Sequence, residues 1–315
     1  MLDSKEECTI NELIRNAYDK MRQTAPDEAL SLLNEALCID YDHKEALYAL
    51  NCLNWWLDKI KDLSGFNSAY EKGGFLLSRW KGYYSFLNRI GQDFDSCQYA
   101  VRHFIYALAL RYYKEVLEDG TCRFDPVLLL QIGRCYKGVG DYEKALEYLM
   151  ICADVRKEDG HALSELADVY ALIGKTRSAK ALFREAFYVD PEGVDLQSLE
   201  SELILKLIEC VVELGYKGDV LIEYLPVYGT MLGVFSIKRG LKPAEVGKLR
   251  QAIFSLESEV RTNPKAKEKL VPRLVNKYLW LIAHFENENA SSSEIESIKL
   301  KIKIIDPSVY NRFMS

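Results

Sequence analysis

The chain has 315 residues, 49% hydrophobic and 28% charged, with a net charge of −6. That apolar share suffices for a sizeable core, and 18 Gly with 8 Pro are too few for a linker-rich or disordered chain. A mildly acidic chain gains nothing from neutralising phosphates, which argues against nucleic acid as a partner.

The first residues, Met1-Leu2-Asp3-Ser4-Lys5-Glu6-Glu7-Cys8, offer neither a positive start nor an apolar run, so no secretory signal is expected. A helix is predicted over about 10–22, and a second over 26–37, where Ala29, Leu33 and Ala36 share a face. Another begins near 44 and runs to 60, with Leu47 and Leu50 inward. From 61 to 125 the pattern breaks at Gly65, Gly73-Gly74, Gly82 and Gly91, which predicts a variant unit carrying an insertion. A strong helix at 95–118 precedes seven irregular residues and Pro126.

Self-similarity is clearest from 126 to 191. A shift of 34 carries Gly133 onto Ala167, Tyr136 onto Tyr170, Gly140 onto Gly174 and Ala145 onto Ala179. It also carries Leu149 onto Phe183 and Cys152 onto Ala186. Small residues at Gly133, Ala145, Ala167 and Ala179 suit helices that cross closely, and Gly140 and Gly174 suit a sharp turn with positive φ. Residues 26–37 repeat the second half of this unit, with Thr24 in place of the turn glycine and Tyr41 in place of the closing proline.

After 192, helices are predicted at 196–214, 219–238 (kinked at Pro226), 243–261, 272–285 and 294–305. Pro243 and Pro272 are read as first-turn prolines, and Ser292 or Ser293 as a cap. The alternation Lys299-Leu300-Lys301-Ile302-Lys303 also fits a strand. Ile305-Asp306-Pro307 echoes Val189-Asp190-Pro191.

The pattern of a large residue, a small one and Tyr on a first helix, Gly at the turn, then Ala and a large apolar residue on a second, with Pro191 closing the unit, resembles the tetratricopeptide repeat family. That resemblance implies an all-α fold: a right-handed superhelical array of antiparallel helix pairs, an α-solenoid, with divergent C-terminal helices. The chain is then one helical-repeat domain over 1–315, with divergent repeats at 1–125, two clear repeats at 126–191 and divergent helical repeats at 192–315. The implied function is a protein–protein interaction scaffold or adaptor, not an enzyme, that holds a peptide or helix in a concave groove lined by first helices.

The expected groove residues are Val127, Leu130, Gln131, Arg134 and Lys137 in one repeat, and His161, Ser164, Glu165, Asp168 and Leu172 in the next. In the N-terminal unit they are Tyr48, Cys52, Trp55 and Trp56. Arg134 and Lys137 lie three apart on one face, where paired cations suit a partner carboxylate; salt bridges to Glu165 or Asp168 are the competing reading. Val127 and Gln131 stand where a Lys and an Arg of the family's carboxylate clamp would fall, so a chaperone-tail clamp is not expected. His161 has Glu165 at i+4 and reads as a groove or capping residue.

Fifteen aromatics lie from Trp55 to Tyr113, among them Trp80, Tyr83, Tyr84, Tyr99 and Tyr106. Most belong in a core, but adjacent pairs such as Trp55-Trp56 cannot both face it, so one member of each pair should be more exposed and is a candidate anchor. Lys265, Lys267, Lys269, Lys277 and Arg273 form a basic patch, read first as a solvated face and second as a contact for an anionic surface.

Eight cysteines (Cys8, Cys38, Cys52, Cys97, Cys122, Cys135, Cys152, Cys210) and four histidines show no metal-ligand spacing, so neither metal nor cofactor is expected. A reducing, cytoplasmic setting is expected. The apolar run 220–237 holds Glu223, Pro226 and two glycines and is short for a span of ~20 residues, so no transmembrane segment is expected. No catalytic motif is present. The alternatives are self-assembly, with run 220–237 against a second copy as a homo-oligomer, and an aromatic-lined pocket for an apolar small molecule or peptide.

Overall fold

Three helix–helix turns share one hydrogen-bond pattern. In the computed structural model, which describes residues 4–91, 93–120, 125–237, 239–289 and 291–314, α1 (Ser4–Arg22) and α2 (Pro26–Ile39) join through Thr24 and Ala25. Thr24 N–H donates to the Met21 carbonyl and Ala25 N–H to that of Lys20. Gly140 and Asp141 make the same bonds to Lys137 and Tyr136, and Gly174 and Lys175 make them to Ala171 and Tyr170. All three turns need a left-handed residue, at φ 58° for Thr24, 82° for Gly140 and 77° for Gly174. Thr24 therefore occupies a glycine's conformation despite its branched Cβ.

The described residues form no strand, and Lys299–Lys303 lies within a helix. Contacts divide the chain into two compact units, Met1–Cys152 and Ala153–Ser315. No described helix is long and apolar enough to cross a membrane.

The first unit continues with α3 (Lys44–Lys61), a 3-10 turn at Asp62–Gly65, α4 (Ala69–Ser78), α5 (Trp80–Ile90), α6 (Asp95–Glu118), α7 (Pro126–Gly138) and the start of α8 (Tyr142–Val155). Gly73, Gly74 and Gly82 lie inside helices instead of breaking them. At Gly73, α4 lies close against α6, and a Cβ there would sit 2.7 Å from the Tyr113 ring. The same logic holds at Gly133, where a Cβ would lie 2.6 Å from Leu149. Gly138 lies flat against the Tyr106 ring of α6. Most of the seven residues expected to be irregular after α6, 121–124 with Cys122 among them, lie outside the described residues.

The second unit holds α9 (Gly160–Leu172), α10 (Thr176–Val189), α11 (Glu202–Glu213), α12 (Gly218–Met231), α13 (Pro243–Thr262), α14 (Lys267–Asn287), α15 (Ser292–Ile305) and α16 (Pro307–Met314). The helix predicted at 196–214 begins only at Glu202, because 191–201 is irregular and finds its hydrogen bonds elsewhere. The helix predicted to 238 ends at Met231: Phe235 N–H folds back onto the Gly229 carbonyl at 2.7 Å, and its ring covers Gly229, which has no room for a Cβ. Lys238 lies outside the described residues. Pro272 is inside α14, not in its first turn, since the helix starts five residues earlier. The echo at Ile305-Asp306-Pro307 is structural: Asp190 and Asp306 each follow a helix's last residue and donate N–H back into it, to Ala186 and Ile302.

The apolar run 220–237 is used inside this unit, with Glu223 through Gly229 buried. Around α10, Phe183, Phe187 and Phe235 form one ring cluster, and buried Arg184 lies 4.2 Å over Trp280 while donating to the Ile237 carbonyl. The basic patch is only partly solvated. Lys269 pairs with Asp219, and Arg273 pairs with Glu192 and Glu223. Asn276 and Lys277 donate to the Phe187 and Tyr188 carbonyls, near the end of α10, which the helix itself leaves without donors. Burial, followed by the nearby Arg273 charge, lowers the Lys277 ammonium to about 8.

Candidate partner-binding site

The aromatic residues of the first unit separate into core and surface as their adjacency requires. Trp56, Tyr83 and Tyr113 are buried, while their neighbours Trp55 and Tyr112 are half-buried and Tyr84 is exposed. Trp55 and Trp56 meet edge to face with ring centres 4.9 Å apart; Trp56 then meets Trp80 at 5.0 Å and Tyr83 at 5.2 Å. Trp80 stacks on Tyr106 at 5.5 Å and 19°, with Arg102 over the Tyr106 ring. Such contacts stabilise by about 0.5–1.5 kcal/mol each beyond the area they bury. This makes α3, α5 and α6 a stiff platform.

On that platform lies an open cleft of 670 Å³. Its walls are Trp80, Tyr84 and Leu87 from α5 and Tyr99 and Arg102 from α6, and Tyr48, Asp93 and Gln98 also line it. Tyr84 is 44% exposed and Tyr99 is 51% exposed. The Tyr48 hydroxyl accepts from Gln98 Nε2 and donates to Asp93 Oδ1 at 3.4 Å. Burial, ahead of the Cys52 and Asp93 charges, raises the Tyr48 phenol, so it stays a neutral donor. Behind Tyr99, burial and the Arg22 charge lower the His103 imidazole, which favours its neutral form. The cleft is open to solvent.

The expected groove residues divide. In the first unit, Gln131 and Arg134 are half-buried with a 3.5 Å contact between them, and Val127 is exposed. Lys137 is 3% exposed, and Leu130, Cys52 and Trp56 are buried too, so none of these offers a free face to a partner; Tyr48, also buried, meets the cleft only at its wall. The long α6 covers the end of α7, bringing Tyr106 against Gly138 beside Lys137.

In the second unit His161 and Leu172 are half-buried, but Ser164, Glu165 and Asp168 have no exposed surface. Ser164 Oγ donates to the His161 carbonyl at 3.0 Å, and His161 Nε2 stands 3.7 Å from Glu165. The Asp168 carboxylate accepts the backbone N–H of Glu200 at 3.0 Å and that of Ser201 at 2.8 Å. Ser201 immediately precedes α11, so Asp168 holds the irregular segment 191–201 at the mouth of the next helix. An irregular backbone needs such partners when buried. The segment thus meets the α9 face expected to line a groove at Asp168.

Sequence reasoning named Tyr84 and Tyr99 only within the aromatic run. The usable signal was adjacency, since Tyr83-Tyr84 follows the same one-in, one-out rule as Trp55-Trp56.

A family model for the tetratricopeptide repeat matches residues 127–159 and 160–192. Against curated proteins the chain has no significant match.

Proposed function

Because residues 127–192 are two tetratricopeptide repeats, we propose that the chain is a protein-interaction scaffold that binds a partner segment without performing catalysis. We place the principal contact in the α5–α6 cleft. The observation that carries this reading is that Tyr84 and Tyr99 remain exposed around an open cleft while the other aromatics behind them are locked in ring contacts. Rigid, amphipathic side chains of this kind make efficient anchors, because little conformational entropy is lost when they are covered. Gln131 and Arg134 on α7 are a second contact set in the same unit, and His161 is a candidate contact of the second unit.

The test is a comparative capture experiment with three baits: the intact protein, Tyr84→Ala/Tyr99→Ala, and Gln131→Ala/Arg134→Glu, each matched for helicity and melting. A partner held by the intact protein and lost by the tyrosine variant places the site in the cleft. Loss only with the second variant moves the site to α7. Retention by both variants refutes both placements, and capture of no partner by any folded bait sinks the scaffold reading.

A further inference from the structure

Arg184 on α10 is a charged residue in the interior of the second unit. It is 3% exposed, and its guanidinium lies 4.2 Å over the Trp280 ring. Nη1 donates to the Ile237 carbonyl at 2.9 Å, which among the described residues is its one hydrogen bond; Nε is buried with no partner. No described carboxylate pairs with it. Glu185, next in sequence, is taken up by Arg239, which donates to it from both Nε and Nη2, and the Glu185 and Glu286 charges act on Arg184 only through space. A buried cation held by one neutral carbonyl and a ring face is costly, and such charges are normally paired. Burial accordingly pulls the Arg184 guanidinium below its ordinary value.

Arg184 also lines a cavity of 250 Å³. Phe235, Leu279, Ile282 and Phe313 give it apolar walls, and the exposed Glu286 stands at its mouth. Ligand sites usually measure about 300–1,000 Å³, so this one suits a single ring or a short chain. We propose that the cavity is a binding site for a small monocarboxylic acid with an apolar body, its carboxylate pairing with Arg184. The site lies wholly in the second unit and is independent of the α5–α6 cleft. The unused N–H groups of Nε and Nη2 share one edge of the guanidinium, and two parallel bonds from such an edge match the two oxygens of a carboxylate. The charge balance calls for a monoanion. Lys180, one turn earlier on α10, donates to the Gly233 carbonyl, and Arg239 pairs with Glu185 and Glu245. Arg184 is thus left to neutralise one charge, and a phosphate dianion would bury a second one uncompensated. A chain terminus carries the same carboxylate, but its peptide groups would meet apolar walls without hydrogen-bond partners, and a free acid brings none.

The experiment titrates the full chain with hexanoate, benzoate, 1-hexanol, inorganic phosphate and an acetylated tripeptide ending in leucine, read by calorimetry and by the shift in melting temperature. The expected result is saturable binding of one hexanoate or benzoate per chain, with 1-hexanol, phosphate and the tripeptide each weaker by about tenfold or more, the worth of a charge-assisted pair or of the apolar contact. Arg184→Met should weaken hexanoate by a similar factor. Ala283→Leu, which fills part of the cavity and leaves the guanidinium in place, should weaken it too. If Arg184→Met does not fold, Ala283→Leu and the ligand series on the intact protein decide. The proposal is overturned if neither acid binds saturably, if 1-hexanol or phosphate binds as well as hexanoate, or if a folded Arg184→Met or Ala283→Leu variant binds hexanoate like the intact protein. Tighter binding of the tripeptide than of hexanoate overturns the assignment to a free acid.

Discussion

Replacing Asp168 by Ala separates a residue that builds the fold from one that meets a partner. The carboxylate accepts two buried or half-buried backbone N–H groups, from Glu200 and Ser201, and has no exposed surface. Bonds to a charged acceptor contribute about 1.5–3 kcal/mol each, and unpaired buried donors cost a similar amount. The cost of burying the carboxylate offsets part of this, so the expected loss is about 3 kcal/mol. Asp168→Asn keeps one acceptor oxygen and should lose roughly half as much. Amide exchange at Ser201 is the direct assay: a loss of 3 kcal/mol corresponds to opening ~100-fold more often, since about 1.4 kcal/mol is a factor of ten. Urea unfolding should fall by the same energy. If Asp168→Ala leaves exchange at Glu200 and Ser201 unchanged while abolishing partner capture, the residue is a contact and the reasoning given for its burial is wrong.

Other substitutions test the packing directly. Thr24→Gly removes a branched residue from the left-handed region and should raise stability by about 1 kcal/mol in urea titration, whereas the same relief is absent at Gly140 and Gly174. Gly138→Ala places a methyl group against the root of the Tyr106 ring, which is held by Trp80, and should cost about 2–3 kcal/mol. Lys277 binds its proton more weakly in the folded chain, at about 8, than in the unfolded one, so between pH 8 and its ordinary value the unfolded state holds more protons and stability rises with pH. Measured against Lys277→Met, the intact protein should gain about 2 kcal/mol between pH 7.5 and 9.5. A flat difference would mean the ammonium stays solvated.

The helices of the repeat pair were legible because their signals are local. Apolar periodicity and glycines at fixed offsets specify two hairpins at 126–191, and the homologous position 24 was identified although a threonine fills it. The split of Trp55-Trp56 was also legible, because adjacent residues on a helix point about 100° apart and one core cannot take both. Glycines inside α4 and α5 were misread as breaks, since in sequence a glycine that admits Tyr113 looks the same as one that ends a helix.

What the sequence determined by itself is therefore the all-α class, the repeat at 127–192 and the positions where helices turn or touch closely. Only the tertiary structure decided which polar residues face water. Lys137, Ser164, Glu165 and Asp168 read as a hydrophilic face, yet they lie buried, Asp168 beneath a segment that begins some twenty residues further along the chain. The physical reason is that a helix face carries no local mark of what will cover it. A buried carboxylate is stable when distant backbone donors arrive to satisfy it, and those donors are placed by the fold, not by neighbouring residues.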